Sequence, residues 1–412
     1  MPNPLARLAN LVAPPRLGRD FRFLLAASVV NNTGDGIVLA AGPLLVASQT
    51  RDPFLVSLAL LFDYLPILLF GVVAGVVADR FDRRRIVIVA NIGRAVALVF
   101  LVATIVSGTI NIVLVLAAIF VLGAAETFAD SASSTLLPRM VAREDLGIGN
   151  ARMQGAFLLL NQLVAPPIGA FLFAAGMALP FGVNAVCFLL GAVLISRIAS
   201  SIGAIARDRT TERSAFWRDL ADGVTWLVRH PAMRTLALTI LAFNVTYGAA
   251  WGVLVLYAGE RLHLDAVGFG LLTTATAVGG VIGIAAYGRL SERFSLGDIM
   301  RAGLLVETGT HLALALTTSP EFALLVMVAF GAHAFIWGTT ATVVRQRAVP
   351  DDLQGRVGGA YRVCVYGGLV VGTPLGGILA GAFGITAPFW FGFVGSAILV
   401  VLLWRQFAHI AH

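Results

Sequence analysis

Apolar runs recur along the chain, each near the roughly 20 residues that a helix needs to cross about 30 Å of hydrocarbon. Short polar stretches carrying most of the arginines separate them. The pattern predicts twelve membrane-spanning helices, over residues 22–48, 55–78, 86–106, 111–136, 151–175, 179–197, 232–258, 266–288, 298–317, 321–342, 357–382 and 386–404. Several are rich in Gly and Ala, which lets helix backbones approach closely. Composition agrees: of 412 residues, 58% are hydrophobic and 12% charged, against about 25% charged in a soluble protein. The expected class is an all-α membrane protein.

The charges set orientation. The chain has 29 arginines and no lysine. Twenty-five fall on one side: the N-terminal tail (Arg7, Arg16, Arg19, Arg22) and the alternate loops that follow it. Arg51 and Arg261 lie on the other side, and Arg94 and Arg362 within spans. By the positive-inside rule both termini are expected in the cytoplasm. The net charge of +7 is then a topology signal, strengthened by anionic inner-leaflet lipid. No basic face is interleaved with aromatics, so no nucleic-acid partner is expected. Residues 1–21 have no apolar core, so the first span is expected to stay in the mature protein. Cys187 and Cys364 lie within spans, where neither a disulfide nor a metal site is expected.

The longest loop, 198–231, divides the chain into two sets of six spans. Phe216, Leu220, Val224 and Leu227 have helical spacing there and predict an amphipathic surface helix. It is either an ordinary connector or a lipid-contacting element. The halves resemble each other. APPIGAFL at 165–172 aligns with GTPLGGIL at 372–379, and VADRF at 77–81 with LSERF at 290–294. The shared order argues for a parallel repeat: two pseudo-symmetric six-helix bundles, 1–197 and 232–412, with a substrate cavity between them.

GVVADRFDRRR, Gly75 to Arg85, lies between spans two and three. It resembles the signature loop of the major facilitator superfamily, Gly-x-x-x-Asp-Arg-x-Gly-Arg-Arg. Gly75, Asp79, Arg80, Arg83 and Arg84 match, and Asp82 replaces the small residue. This version resembles the branch of macrolide, multidrug and enterobactin exporters. The resemblance covers the whole chain and implies the major facilitator fold. In that family the loop governs conformational switching. Asp79 is placed to cap a neighbouring helix or to pair with an Arg of the loop or of span eleven; alternatively the loop only anchors orientation. In span five, Pro166 and Gly169 match a Gly-Pro-x-x-Gly-Gly stretch associated with exporters, while Ala165 and Ala170 depart from it. A Pro inside a span kinks it and frees a carbonyl, so the stretch also reads as a generic packing kink.

Ionisable groups inside spans cost about 2.5–3.5 kcal/mol at a helix centre and face a cavity or a partner. Asp35 lies roughly 20 Å into span one and Asp63 about 22 Å into span two, at ~1.5 Å per residue. Asp35 is the first candidate proton carrier and Asp63 the second, the alternative being carboxylates satisfied by nearby polar groups. Asn31 and Asn32 are candidate cavity lining. Arg94 in span three and Glu126 and Asp130 in span four are at compatible depths for an intramembrane ion pair; Glu126 and Asp130 also count as coupling candidates. In the second half Glu307, His311 and His333 are candidates, because His titrates near neutrality. Glu307 occupies the repeat position of Arg94. Phe243, Asn244, Tyr247 and Trp251 on span seven, with Tyr361 and Arg362, are candidate contacts for an amphipathic ligand.

The resemblance implies a proton-driven exporter of drugs, macrolides or siderophore-like molecules in the bacterial cytoplasmic membrane, expected to act as a monomer and to work by rocking of its halves. Its partners would be protons, lipid and the ligand, with no cofactor beyond the proton gradient. The chain lacks Lys and the Gly-x4-Gly-Lys-Ser/Thr loop, which excludes ATP drive within it. It has no HExxH motif and no Ser-His-Asp arrangement, so no enzyme is expected. An uptake symporter or a lipid-translocating or non-transporting protein of the same fold are the alternatives.

Overall fold

The computed structural model describes residues 14–199, 213–351 and 353–408, and every regular element among them is helical. Arg7 and residues 200–212 of the central loop lie outside the described residues. Spans one to four are Gly18–Gln49, Pro53–Arg80, Arg83–Val106 and Ile112–Ser133. Span six is Leu179–Ser196; spans eight to eleven are Ala266–Arg293, Leu296–Leu316, Pro320–Ala348 and Gln354–Phe383. Their starts are written locally. Asn111, Asp265, Ser295 and Ser319 each accept a hydrogen bond from a backbone N–H in the first turn of spans four, eight, nine and ten, satisfying donors that a helix leaves unpaired.

Helices stand at all twelve expected places, and two of them depart from a straight full-length span. Among the described residues, ten helices are long and apolar enough to cross a membrane. Span seven is a pair, Pro231–Trp251 and Leu254–Glu260, bent by 41°, and span twelve, Ala387–Leu403, has only 17 residues. The short half of span seven is tied to the end of span nine. The Tyr257 hydroxyl donates to the Leu314 carbonyl at 2.6 Å, and Arg261 donates to the Thr317 and Leu316 carbonyls at 3.1 and 3.2 Å. An arginine on unpaired C-terminal carbonyls is where a helix dipole favours it.

Span five is the irregular one. Leu146–Ala156 continues through a π-helical segment, Phe157–Val164, into Ala165–Ala175. The Ala165 N–H donates to the Leu160 carbonyl, one residue farther back than in an α-helix. Proline cannot donate, and its ring clashes with the carbonyl four residues back; the widened turn accommodates Pro166 and Pro167. The expected kink at Pro166 is therefore a π turn that ends just before it.

The chain forms two compact units: residues 1–49 with 65–207, and residues 50–64 with 208–412. Besides the break in the central loop, the division passes through span two, whose first residues, 50–64, go with the second unit. Residues 50–64 cluster with the second unit because Ser57 is fully buried against the glycine face of span eleven, where a Cβ on Gly377 would strike Phe54 and the Ser57 side chain. In the first unit, span one packs on spans five and six, and span three on spans four and six. Gly169 lies on the Ile37 backbone, leaving no room for a Cβ. In the second, spans seven and eleven pack closely, as do spans eight and ten, where Gly331 meets the Thr276 backbone. The amphipathic helix of the central loop is Arg213–Arg229; Leu227 is buried in the second unit's core and Val224 exposed. The side chains of Phe216 and Leu220 lie outside the described residues.

Candidate functional site: a polar core in each unit

The Asp-Arg-Arg loop is built from local bonds. Asp82, the residue that departs from the signature, caps span three by accepting from the Arg84 and Arg85 N–H groups at 2.9 and 3.2 Å. Asp79 pairs with Arg83 at 3.3 Å. Arg84 donates to the last carbonyls of span six, Ile195 at 3.1 Å and Ser196. Arg139 lies in electrostatic range of Asp79 and Arg83. Arg80 is exposed, and the space around Gly75 is open. Of the roles expected for Asp79, the structure records the loop pairing, and Asp82 makes the cap.

In the first unit, Asn91, Arg94, Ala95 and Leu98 form the buried stripe of span three. Arg94 is 4% exposed; its Nη1 lies 3.8 Å from Asp35 Oδ2, and its guanidinium sits 4.5 Å from the centre of the Phe188 ring. Of the partners expected for Arg94 on span four, Asp130 lies within electrostatic range, and the direct contact is with Asp35. Glu126 and Asp130 occupy the exposed face of span four, while Arg94 points into the seam that spans one, three and six share. Asp35 is thus the counter-ion of a buried arginine, and the Phe188 ring adds a cation–π contact. Asn31 and Asn91 lie one helical turn before Asp35 and Arg94, and Asn184 packs on Gly34 beside Asp35 in the chain. Asn31 Oδ1, Asn184 Oδ1 and both polar atoms of Asn91 are buried without a hydrogen-bond partner among the described residues. Asn31 packs on Gly191 of span six, in a helix interface rather than a cavity wall. Asn32 turns back onto Ser28, donating to its carbonyl at 2.8 Å.

The second unit's core centres on Glu307. Its Oε2 is 3.2 Å from His333 Nε2 and its Oε1 is 3.7 Å from His311 Nδ1. Glu307, His311 and His333 are 4%, 0% and 7% exposed. Aromatic rings enclose them. Tyr247 stacks on Trp251 at 4.4 Å and on Phe330 at 5.8 Å. Trp251 meets His311 edge-on at 6.1 Å, and Trp337 meets His333 at 6.0 Å. His311 lies flat on Gly392 of span twelve, which leaves no room for a Cβ.

The remaining candidates are dispersed. Asp63 and Arg362 are exposed. Two expected cavity residues are core instead: Phe243 packs on Trp337 at 5.3 Å, and Tyr361 is buried under the Arg345 guanidinium at 4.9 Å. Both belong to the cluster that also buries Met233, Leu304 and Phe407. Asn244 donates to the Ile240 carbonyl at 2.9 Å and faces Gly368. Sequence reasoning missed Asn91, Asn184, Phe188, Phe330 and Trp337. The two amides carry the signal that found Asn31, a polar group inside an apolar run. Phe330 and Trp337 flank His333 at helical spacing.

An almost wholly helical chain of about ten to eleven spans, with charges buried between helices and an Asp-Arg-Arg loop, defines a transporter of the major facilitator fold. The chain belongs to the transmembrane secretion effector family of that superfamily, matched over residues 11–409. It is 28% identical over 381 residues to the multidrug efflux pump Tap of Mycolicibacterium fortuitum, covering 89% of this chain and 90% of the pump. It is 26% identical over 388 residues to the uncharacterized transporter YfiS of Bacillus subtilis, covering 89% and 88%. Among solved structures, a bacterial homologue of the iron transporter ferroportin superposes with a TM-score of 0.75 at 16% identity, covering 95% of this chain and 99% of that one. The nucleoside transporter NupG, as a point mutant, gives 0.74 at 12% identity over 96% and 100%. At those identities the superpositions speak to fold alone.

Proposed function

We propose that the protein is a proton-driven exporter of amphipathic small molecules, of the drug/proton antiporter type, in a bacterial cytoplasmic membrane with both termini inside. The observation that carries this is the full-length similarity to a multidrug efflux pump. The arginine distribution supports the orientation. A chain without a nucleotide-binding loop needs an ion gradient for active export, and buried titratable groups in the spans suit protons. Alternating access by rocking of two halves follows from the parallel repeat. The amphipathic class of ligand suits the aromatic surface of Tyr247 and Trp251.

The test uses everted vesicles containing the protein and a panel of cationic dyes and macrolides. Energised vesicles are expected to accumulate dye, and nigericin, which collapses the pH gradient, is expected to abolish accumulation. Gradient-driven loss of dye from the vesicles would identify an uptake symporter. No proton-linked flux of any compound would overturn the proposal in favour of a lipid-translocating or non-transporting protein.

A further inference from the structure

We propose that His333, paired with Glu307, is the one proton-loading imidazole of the second unit, and that His311 is a positioning residue locked in a single neutral tautomer. The inference deepens the proton-driven reading above and rests on it.

The two histidines sit against the same carboxylate but differ in what their second nitrogens meet. His311 Nδ1 is 3.0 Å from the Glu307 backbone carbonyl, one helical turn back. A carbonyl only accepts, so this nitrogen carries the hydrogen. Nε2 is then the lone-pair nitrogen; it lies against Gly392 and has no hydrogen-bond partner among the described residues. A proton added there would leave a charged N–H buried with no acceptor, which is heavily penalised. His311 therefore stays neutral, and its Nδ1–H faces Glu307 Oε1 at 3.7 Å.

His333 is turned the other way. Its Nε2 faces the carboxylate at 3.2 Å. Its other nitrogen, Nδ1, lies beside Gly303 and, unlike His311 Nε2, is not among the fully buried atoms left without a partner. With hydrogen on Nε2 alone and Glu307 ionised, the cluster carries one negative charge. One proton bound at Nδ1 gives an imidazolium beside a carboxylate and a net charge of zero, and no other bond changes. A buried site favours the paired charge over the lone one. The groups facing the cluster from other elements do not compete for that proton. Span seven contributes the Tyr247 phenol, within electrostatic range of Glu307, and the Trp251 indole. Span ten contributes Phe330 and Trp337. Span twelve, Ala387–Leu403, carries no ionisable residue, and those of span eight lie near its end, from Tyr287 onward. At the equivalent repeat position the first unit carries Arg94, whose guanidinium does not release its proton in this range.

The test is nitrogen NMR of the full-length protein labelled at histidine, read from about pH 5 to 8, where imidazoles change charge. A buried resonance absent from His333→Gln is expected to titrate. One absent from His311→Gln is expected to keep its Nδ1–H tautomer throughout. Glu307→Gln serves as a second variant if His333→Gln fails to fold; it is expected to weaken proton binding at His333. In parallel, dye-induced proton release is measured on purified protein and is expected to vanish in His333→Gln. Undiminished proton release in that variant would overturn the proposal while leaving proton-driven export standing. A titrating His311 would also overturn it. A titrating His333 in a wild type with no proton-linked flux would uphold the proton site and overturn the export function.

Discussion

The two units bury ionisable groups at equivalent repeat positions with opposite signs. In the first unit, span three presents Arg94 to a carboxylate on span one. In the second, span nine presents the carboxylate of Glu307 to imidazoles on spans nine and ten. An arginine–carboxylate pair has one member that holds its proton at any physiological pH. An imidazole–carboxylate pair has a member that exchanges one near neutrality. One architecture thus buries an arginine–carboxylate pair in one unit and an imidazole–carboxylate cluster in the other. The surroundings differ accordingly: amides line the Arg94 seam, whereas aromatic rings enclose Glu307.

Breaking the arginine–carboxylate pair should give the largest effect. Asp35→Ala leaves Arg94 buried and uncompensated, and removing one partner of such a pair costs about 3–5 kcal/mol. Thermal unfolding in detergent should show that loss, and adding Arg94→Leu should recover most of it. A double variant as unstable as the single one would mean that Asp35 acts through other contacts. Next comes the packing that orients His311. Gly392→Ala puts a methyl group into its ring, and overpacking costs about 1–3 kcal/mol. Dye accumulation should fall with stability, while Gly395→Ala, three residues on and against a single Thr246 methyl group at 3.0 Å, should be milder on both counts. Asp82→Ala removes the cap of span three and should cost about 0.5–2 kcal/mol; Asp82→Asn should retain most of it. The smallest change in stability is expected for Asp79→Asn, since the Asp79 side chain is 68% exposed and a solvent-screened pair contributes about 0–1 kcal/mol. If the loop governs switching, this variant should lose transport while keeping its melting temperature. Loss of both together would reduce the loop to a structural anchor.

Much of this was legible in the sequence because it depends on local or averaged properties. Apolar runs, Ser, Asp and Asn at helix starts, and the Asp-Arg-Arg loop are all read within a few residues. Glu307, His311 and His333 were identifiable because a charge inside a span is costly wherever it points. Partner choice was not legible. Depth along the membrane allowed Arg94 to meet Glu126 or Asp130, but depth says nothing about which face of span three turns inward. Phe243 and Tyr361 were expected at a cavity, and an aromatic on a span reads the same whether it lines a cavity or fills a core. The π turn before Pro166 was signalled by two adjacent prolines, yet only the chain's path showed that it widened rather than kinked.

The sequence by itself determined the solvent, the number of apolar helices, their expected orientation and the stock of buried charges, because hydropathy, arginine placement and helix capping act without distant partners. The tertiary structure decided who meets whom. It put Arg94 on Asp35, His333 on Glu307 and His311 on Gly392, because these meetings depend on how helices rotate and on which glycines let them close, and both are fixed only when every span packs at once.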